Sequence, residues 1–230
     1  MRVVVLGGTS GIGLAIAESC AANGDEVLVT GRDPEKLQAV SEKVAVAEAV
    51  DGRSEEDVRD FFARHGRFDH LVLALSGAGG GGALRDLKLD DLRDAFEGKF
   101  FPHLLAAQAS LDTIAEDGSI TFITAVSAQA ALPGTAGLAA INGGLERAVP
   151  PLAAELAPIR VNAVSPGVID TPWWSFLPEE QRREQFAAYA EQTPVGRVGR
   201  PQDVADAVRY LMGAGFVTGT VLKCEGGLTL

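Results

Sequence analysis

The chain has 230 residues, 47% of them apolar, with 27 glycines, a size that buries a sizeable core and points to one α/β domain over residues 1–230. Its 31 acidic against 20 basic side chains, a net charge of −11, argue against nucleic acid or an anionic membrane as a partner, so a bound anion needs local help from helix termini or single arginines. No apolar run approaches the roughly 20 residues that span a bilayer, and MRVVVLGG lacks a signal peptide's longer apolar stretch and cleavage site, so a soluble, cytoplasmic protein is expected.

In chain order, the strand VVVL is followed by a helix from about Gly11 to Ala22, the strand EVLVT, a helix from Pro34, the strand VAVAEAV, a helix from Glu55 and the strand HLVLAL. After a glycine-rich loop, AGGGG at 78 to 82, come a long helical stretch from about Asp90 to Ala115, the strand SITFIT, helical AGLAAINGGLERAV and the strand IRVNAV. The loop SPGVIDTPWW, helices in PEEQRREQFAAYAEQ and PQDVADAVRYLM, and a closing strand in VTGTVLKCEGG complete the chain. Strand alternating with helix predicts a doubly wound α/β fold, seven parallel strands with crossover helices on both faces. Pro150 and Pro151 fall inside the helical stretch from Ala136 to Ala157; each removes a backbone donor and crowds the preceding turn, so a kink or break is expected. Cys20 and Cys224 have no Cys or His at metal-ligand spacing and read as buried small hydrophobes, so no metal site is expected.

The strongest local signal is VVVLGGTSGIGLAIA. Gly7, Gly11 and Gly13 follow a strand and open a helix, so bare backbone can approach a pyrophosphate at the positive end of that helix; the alternative is a plain tight turn. Strand two ends in VTGRD. A carboxylate there would take the ribose hydroxyls of NAD(H), but Arg32 stands in its place with Asp33 one residue late, which favours the 2′-phosphate of NADP(H) over an ordinary exposed arginine. Asp51, closing VAVAEAVD, can accept from the adenine amino group or serve as an acid ahead of the helix at SEEDV.

GGTSGIG at 7 to 13, IRVNAVSPGVIDTP at 159 to 172, and GRPQDVADAVRYLM followed by TGTVLKCEGGLTL stand in one order along the chain. With these segments the chain resembles the short-chain dehydrogenase/reductase family over essentially its whole length. The resemblance implies a Rossmann sheet in the order 3-2-1-4-5-6-7 and a homotetramer or homodimer built partly on the helices of Lys99 and Leu138. It also implies a cofactor loop containing Thr9, Ser10 and Ile12 besides the three glycines. A second cofactor segment would be Pro166, Gly167, Val168, Ile169 and Thr171, where backbone groups near Val168 and Ile169 and the Thr171 hydroxyl would hold the nicotinamide carboxamide.

The family uses a Tyr as general acid and base, a Lys four residues on that lowers the Tyr pKa and holds the ribose, a Ser at the end of strand five, and an Asn on the preceding helix. Aligned outward from VNAVSPG, these fall on Leu138, Asn142, Ala125 and Lys99, and LALS at 73 to 76 replaces the family's Asn-Asn-Ala-Gly turn. A leucine cannot donate a proton, so the family's usual mechanism cannot operate. Lysine and asparagine look exchanged between the two helices. Lys99 is therefore the leading candidate acid or electrostatic stabiliser, in an apolar pocket lined by Leu138 and Ala125 that would lower its pKa; the alternative is a partly exposed helix lysine in a decayed site.

Weaker catalytic candidates are Asn142, His103 four residues after Lys99, and Ser127, which with Thr124 flanks Ala125. For His103 a structural role competes, and for the two hydroxyls a plain loop or cap role. Trp173 and Trp174 either close over an apolar or aromatic ligand or anchor their loop. Three functions stay open: an NADP(H)-dependent oxidoreductase of a small carbonyl or alcohol, a non-redox isomerase or cyclase reusing the cleft, and a cofactor-binding regulatory protein without catalysis.

Overall fold

Seven parallel strands form one sheet in the order β3-β2-β1-β4-β5-β6-β7: β1 Arg2–Leu6, β2 Glu26–Gly31, β3 Val46–Ala49, β4 Phe68–Leu73, β5 Ile114–Ile123, β6 Arg160–Pro166 and β7 Val221–Cys224. The computed structural model describes residues 1–77 and 79–230; the glycine loop expected at 78 to 82 begins on Ala78, which lies outside the described residues. Val3 to Leu6 of β1 and Leu71 to Leu73 of β4 are unbroken apolar runs because both faces are covered there, as parallel sheets require. Val4 pairs with Leu71, Leu71 with Ile120, and Ile120 with Val161 across four neighbouring strands.

The helices are α1 Gly11–Ala22, α2 Pro34–Ser41, α3 Glu55–His65, α4 Leu89–Ala95, α5 Phe101–Ala109, α6 Ala136–Glu155, α7 Glu179–Gln192 and α8 Pro201–Gly213. On one face Phe61 and Phe62 of α3, Ala106 of α5 and Leu145, Val149 and Ala153 of α6 pack with Leu71, Ile120 and Phe122. On the other, Ile16 and Cys20 of α1, Val40 of α2 and Val204, Val208 and Leu211 of α8 pack with Val5, Val29 and Val72. The strand order reverses between β1 and β4, so the crevice at their carboxyl ends is the place where such a fold takes a ligand.

Three expectations need correction. The stretch expected to be helical from Asp90 to Ala115 is α4, a five-residue π-helical turn at Phe96–Phe100, and α5, which stops at Ala109; β5 already begins at Ile114. Proline explains the turn. Pro102 has no N–H for the Gly98 carbonyl four residues back, and the Phe101 N–H reaches five residues back to Phe96.

The break expected at Pro150 and Pro151 does not occur, since α6 runs unbroken through both. Both prolines are exposed, while the stripe Leu145, Val149 and Ala153 is buried in the core and holds the helix on the sheet. Cys20 is buried as expected, but Cys224 is half-buried, with its thiol 3.4 Å from the Asp203 carbonyl. Among the described residues no helix is long and apolar enough to cross a membrane, and no group of three or more His, Cys, Asp or Glu could hold a metal ion.

Candidate active site

The loop from Gly7 to Gly13 sits at the carboxyl end of β1, tied down by the Gly7 and Gly8 amides, which both donate to the Thr30 carbonyl at 3.1 Å. Gly13 must be glycine, because a Cβ there would lie 2.2 Å from the Gly7 carbonyl oxygen. Thr9 lies against Gly31 at the end of β2, and Ile12 packs on the core between α1 and α8. Ser10 precedes α1 in extended backbone with no side-chain cap bond, and the first turn carries no acid. The amides at this helix start, and the positive end of its dipole, are thus left for an anion.

The segment from Pro166 to Thr171 converges on the same place, since a Cβ on Gly11 would stand 3.4 Å from Thr171. Pro166 ends β6, and the Gly167 amide donates to the Cys224 carbonyl at 3.0 Å. The carbonyls of Val168 and Ile169 are already engaged, by the Gly199 amide at 2.8 Å and the Trp174 indole N–H at 3.0 Å. Trp174 therefore anchors this loop, edge-on to Phe186 with ring centroids 5.6 Å apart, whereas Trp173 is half exposed.

Beyond the ends of β2 and β3 lies a cavity of about 380 Å³ lined by Arg32, Asp51, Arg53, Leu75, Asp94 and Glu97 among others. Asp33 is withdrawn from it: one carboxylate oxygen accepts the Glu35 and Lys36 amides at 3.0 and 3.3 Å and caps α2. Asp51 is clamped by the Arg53 guanidinium, with Nε to Oδ1 at 3.2 Å and Nη2 to Oδ2 at 3.0 Å. These hydrogen bonds hold its carboxyl below the usual carboxylate range. Arg53 had no motif to mark it in the sequence.

Lys99 sits on the π-helical turn between α4 and α5, half-buried. Gly98 beside it lies against the loop after β4, where a Cβ would come within 2.9 Å of the Gly77 Cα. The Lys99 amine donates to the Thr124 carbonyl at 3.3 Å. Desolvation pushes its pKa down to about 8, opposed by the charge of Glu146.

Glu146 is a buried carboxylate on α6. One of its oxygens accepts the Thr124 and Ser165 hydroxyls at 2.9 and 2.8 Å, and the other accepts the Gln129 amide at 2.9 Å. Sequence reasoning passed over it, although it lies four residues after Asn142 on the same helical face and is an acid on the buried side of α6.

Asn142 is buried and donates to the Ser127 hydroxyl at 3.1 Å and the Leu138 carbonyl at 3.0 Å, while its Oδ1 is buried without a partner among the described residues. Ser127 and Thr124 are therefore not plain loop or cap hydroxyls; both are buried and bonded to side chains of α6. Leu138, half-buried, gives its amide to the Gly80 carbonyl at 3.1 Å, so the glycine loop covers the first turn of α6.

His103 is fully buried, with Nδ1 2.7 Å from the Lys99 carbonyl and Nε2 2.9 Å from the Leu73 carbonyl. Burial, together with the Lys99 charge, pushes its pKa down to about 3. The neutral ring thus bridges the π-helical turn to β4, donating to one carbonyl only.

The family model described as "Enoyl-(Acyl carrier protein) reductase" matches residues 7–229. The 3-oxoacyl-[acyl-carrier-protein] reductase FabG of Aquifex aeolicus (strain VF5) is 32% identical, over 98% of this chain and 96% of its own. A small-chain dehydrogenase crystallised in complex with NADPH is 31% identical with a TM-score of 0.85, over 100% and 98% of the two chains. MalC Reductase/Diels-Alderase from Malbranchea aurantiaca is 25% identical with a TM-score of 0.90, over 98% and 95%. With the Gly7–Gly13 loop, the sheet order and these matches together, the chain belongs to the short-chain dehydrogenase/reductase family.

Proposed function

We propose that this protein is an NADP(H)-dependent oxidoreductase of a small carbonyl or alcohol, with Lys99 in place of the family's tyrosine. The observation that carries the reading is the Lys99 amine, held beside the end of β5 by the Thr124 carbonyl with its pKa brought to about 8. An amine in that range can give or take a proton near neutral pH, or stabilise a developing alkoxide while charged.

The residues present fit the cofactor: the close approach at Gly13 admits no side chain, and the amides opening α1 are uncapped. Gly7, Thr9, Ser10, Gly11, Ile12 and Gly13 would hold the pyrophosphate, Arg32 the 2′-phosphate, Asp51 the adenine end, and the segment Pro166 to Thr171 the nicotinamide. When bound, the cofactor supplies or accepts the hydride. Asn142 Oδ1 is a buried acceptor without a partner among the described residues. Glu146 and Thr124 position Lys99, and Ser127 orients the Asn142 amide.

The test is titration of the pure protein with NADPH and NADH by fluorescence, followed by loss of nicotinamide absorbance across a panel of small carbonyls. NADPH should bind about tenfold more tightly than NADH, roughly 1.4 kcal/mol. Lys99→Ala should abolish turnover and leave cofactor affinity intact; failure to bind either nucleotide removes the proposal. A second reading, a non-redox isomerase or cyclase, is favoured by the Malbranchea relative named as both reductase and Diels-Alderase, and it gains if NADPH binds but no carbonyl oxidises it.

A further inference from the structure

The sequence contains five lysines: Lys36, Lys43, Lys88, Lys99 and Lys223. Four are exposed. Lys36 is paired with Asp33 at 3.6 Å and Lys43 with Glu18 at 2.6 Å, Lys223 donates to the Thr229 hydroxyl at 3.1 Å, and Lys88 precedes α4. Lys99 alone is half-buried, and among the described residues its amine makes one hydrogen bond, a long one of 3.3 Å to a carbonyl. A carbonyl partner accepts from the neutral amine as well as from the ammonium and leaves the nitrogen lone pair free, whereas a carboxylate partner holds the proton in place.

The surroundings suit a nucleophile. Half-buried Ala125 directly follows Thr124, whose carbonyl takes the amine; Glu146 and the neutral ring of His103 are the titratable groups facing the turn from α6 and α5. The carboxylate oxygens of Glu146 are occupied by three donors, so it supports the amine without forming a direct ion pair within salt-bridge distance among the described residues. Lys99 also stands on a π-helical turn, a local widening that recurs at functional sites.

We propose that Lys99 is a nucleophilic amine that condenses with the carbonyl of a small aldehyde or ketone to form an iminium. The Lys99 nitrogen pair attacks the carbonyl carbon, and the C=O π pair moves to oxygen, which takes the proton released by nitrogen. The carbinolamine then takes a second proton from solvent and loses water as the C=N⁺ bond forms. No cofactor takes part and no net redox change occurs. The iminium draws electrons from the adjacent carbon, so an α-proton can leave to water and return, a route to isomerisation or carbon–carbon bond formation. This proposal does not depend on the hydride-transfer reading above.

The test uses the full chain without nucleotide. The protein is incubated with propanal or acetone at pH 7.5, reduced with sodium borohydride, which delivers hydride to the C=N bond, and then digested and mapped by mass spectrometry. At that pH an amine with a pKa of about 8 holds on the order of two hundredfold more free base than an ordinary lysine, so Lys99 should carry at least about tenfold more adduct than any other lysine. Lys99→Met and Lys99→Arg should lose that adduct, and deuterium uptake at the ketone α-carbon in D2O should fall to the uncatalysed rate in both. Adduct spread over Lys36, Lys43, Lys88 and Lys223 with Lys99 unlabelled overturns the proposal. The wild-type map decides this even if either variant fails to fold.

Discussion

Lys99 and Glu146 are joined through Thr124, whose carbonyl accepts the Lys99 amine at 3.3 Å and whose hydroxyl donates to the Glu146 carboxylate at 2.9 Å. The end of β5 thereby couples a cation on one helix to an anion on another. Glu146→Gln keeps an oxygen acceptor but removes the charge that opposes desolvation of Lys99. The Lys99 pKa should drop below about 8, read by NMR of reductively ¹³C-methylated lysines, and stability should fall by about 2 kcal/mol as charged hydrogen bonds become neutral. An unchanged Lys99 titration would remove Glu146 as its electrostatic partner.

The same amine makes a pH prediction. Unfolded, Lys99 holds its proton up to its ordinary pKa of 10.5; folded, only to about 8. Between those values the unfolded chain binds more protons, so stability rises with pH there, and the cost of burying the ammonium is fully present below pH 8. Lys99→Met removes that cost. The variant's stability relative to wild type should therefore be highest at pH 7 and decline by about 2 kcal/mol by pH 10 in urea unfolding, a value discounted for partial exposure.

For His103 the window lies on the acid side. With its pKa held down to about 3, its ring proton resonances should not titrate between pH 8 and 4.5. Stability contributed by the neutral buried ring is present above pH 6.5 and is lost as pH falls from 6.5 toward 3, because the unfolded chain then takes up a proton the folded one refuses. A ring that titrates near 6.5 would mean an open site rather than a buried bridge.

Gly98→Ala tests the support beneath Lys99. Alanine in a helix should gain up to about 1 kcal/mol in propensity, but the new methyl would meet backbone, 2.9 Å from the Gly77 Cα. The net result should be a loss of about 1–2 kcal/mol in denaturant unfolding, together with a shifted Lys99 pKa as the turn is displaced.

At the adenosine end, Arg32→Ala should raise the dissociation constant for NADPH about tenfold and leave that for NADH nearly unchanged, since only the former carries the 2′-phosphate. Fluorescence titration of both nucleotides against wild type and variant measures the difference directly. An equal loss for both would assign Arg32 a general role instead.

The alternation of strand and helix was readable along the chain because period and punctuation are local: Gly11–Ala22 is α1 at the boundaries expected, and Pro34 and Glu55 begin α2 and α3. Local reading failed at Pro102 and at Pro150–Pro151, and for one reason. What a missing N–H does to a helix depends on what the helix packs against. At Pro102 the chain widened into a π-helical turn against the backbone of Gly77; at Pro150 and Pro151 the prolines face outward while Leu145, Val149 and Ala153 hold the helix on the sheet.

The sequence by itself determined the layered architecture, the glycine turn that opens α1, and the presence of Lys99 and Asn142 on the helical stretches that became the π-helical turn and α6. Tertiary structure decided the partners of each. Arg53 closes on Asp51, Asn142 on Ser127, and Glu146 on Thr124, Ser165 and Gln129. Asp51 and Arg53 share one loop, but the other groups come from separate segments of the chain that no spacing rule links. The sheet register alone brings the ends of β5 and β6 beside α6, and burial there makes every polar group seek a partner within reach.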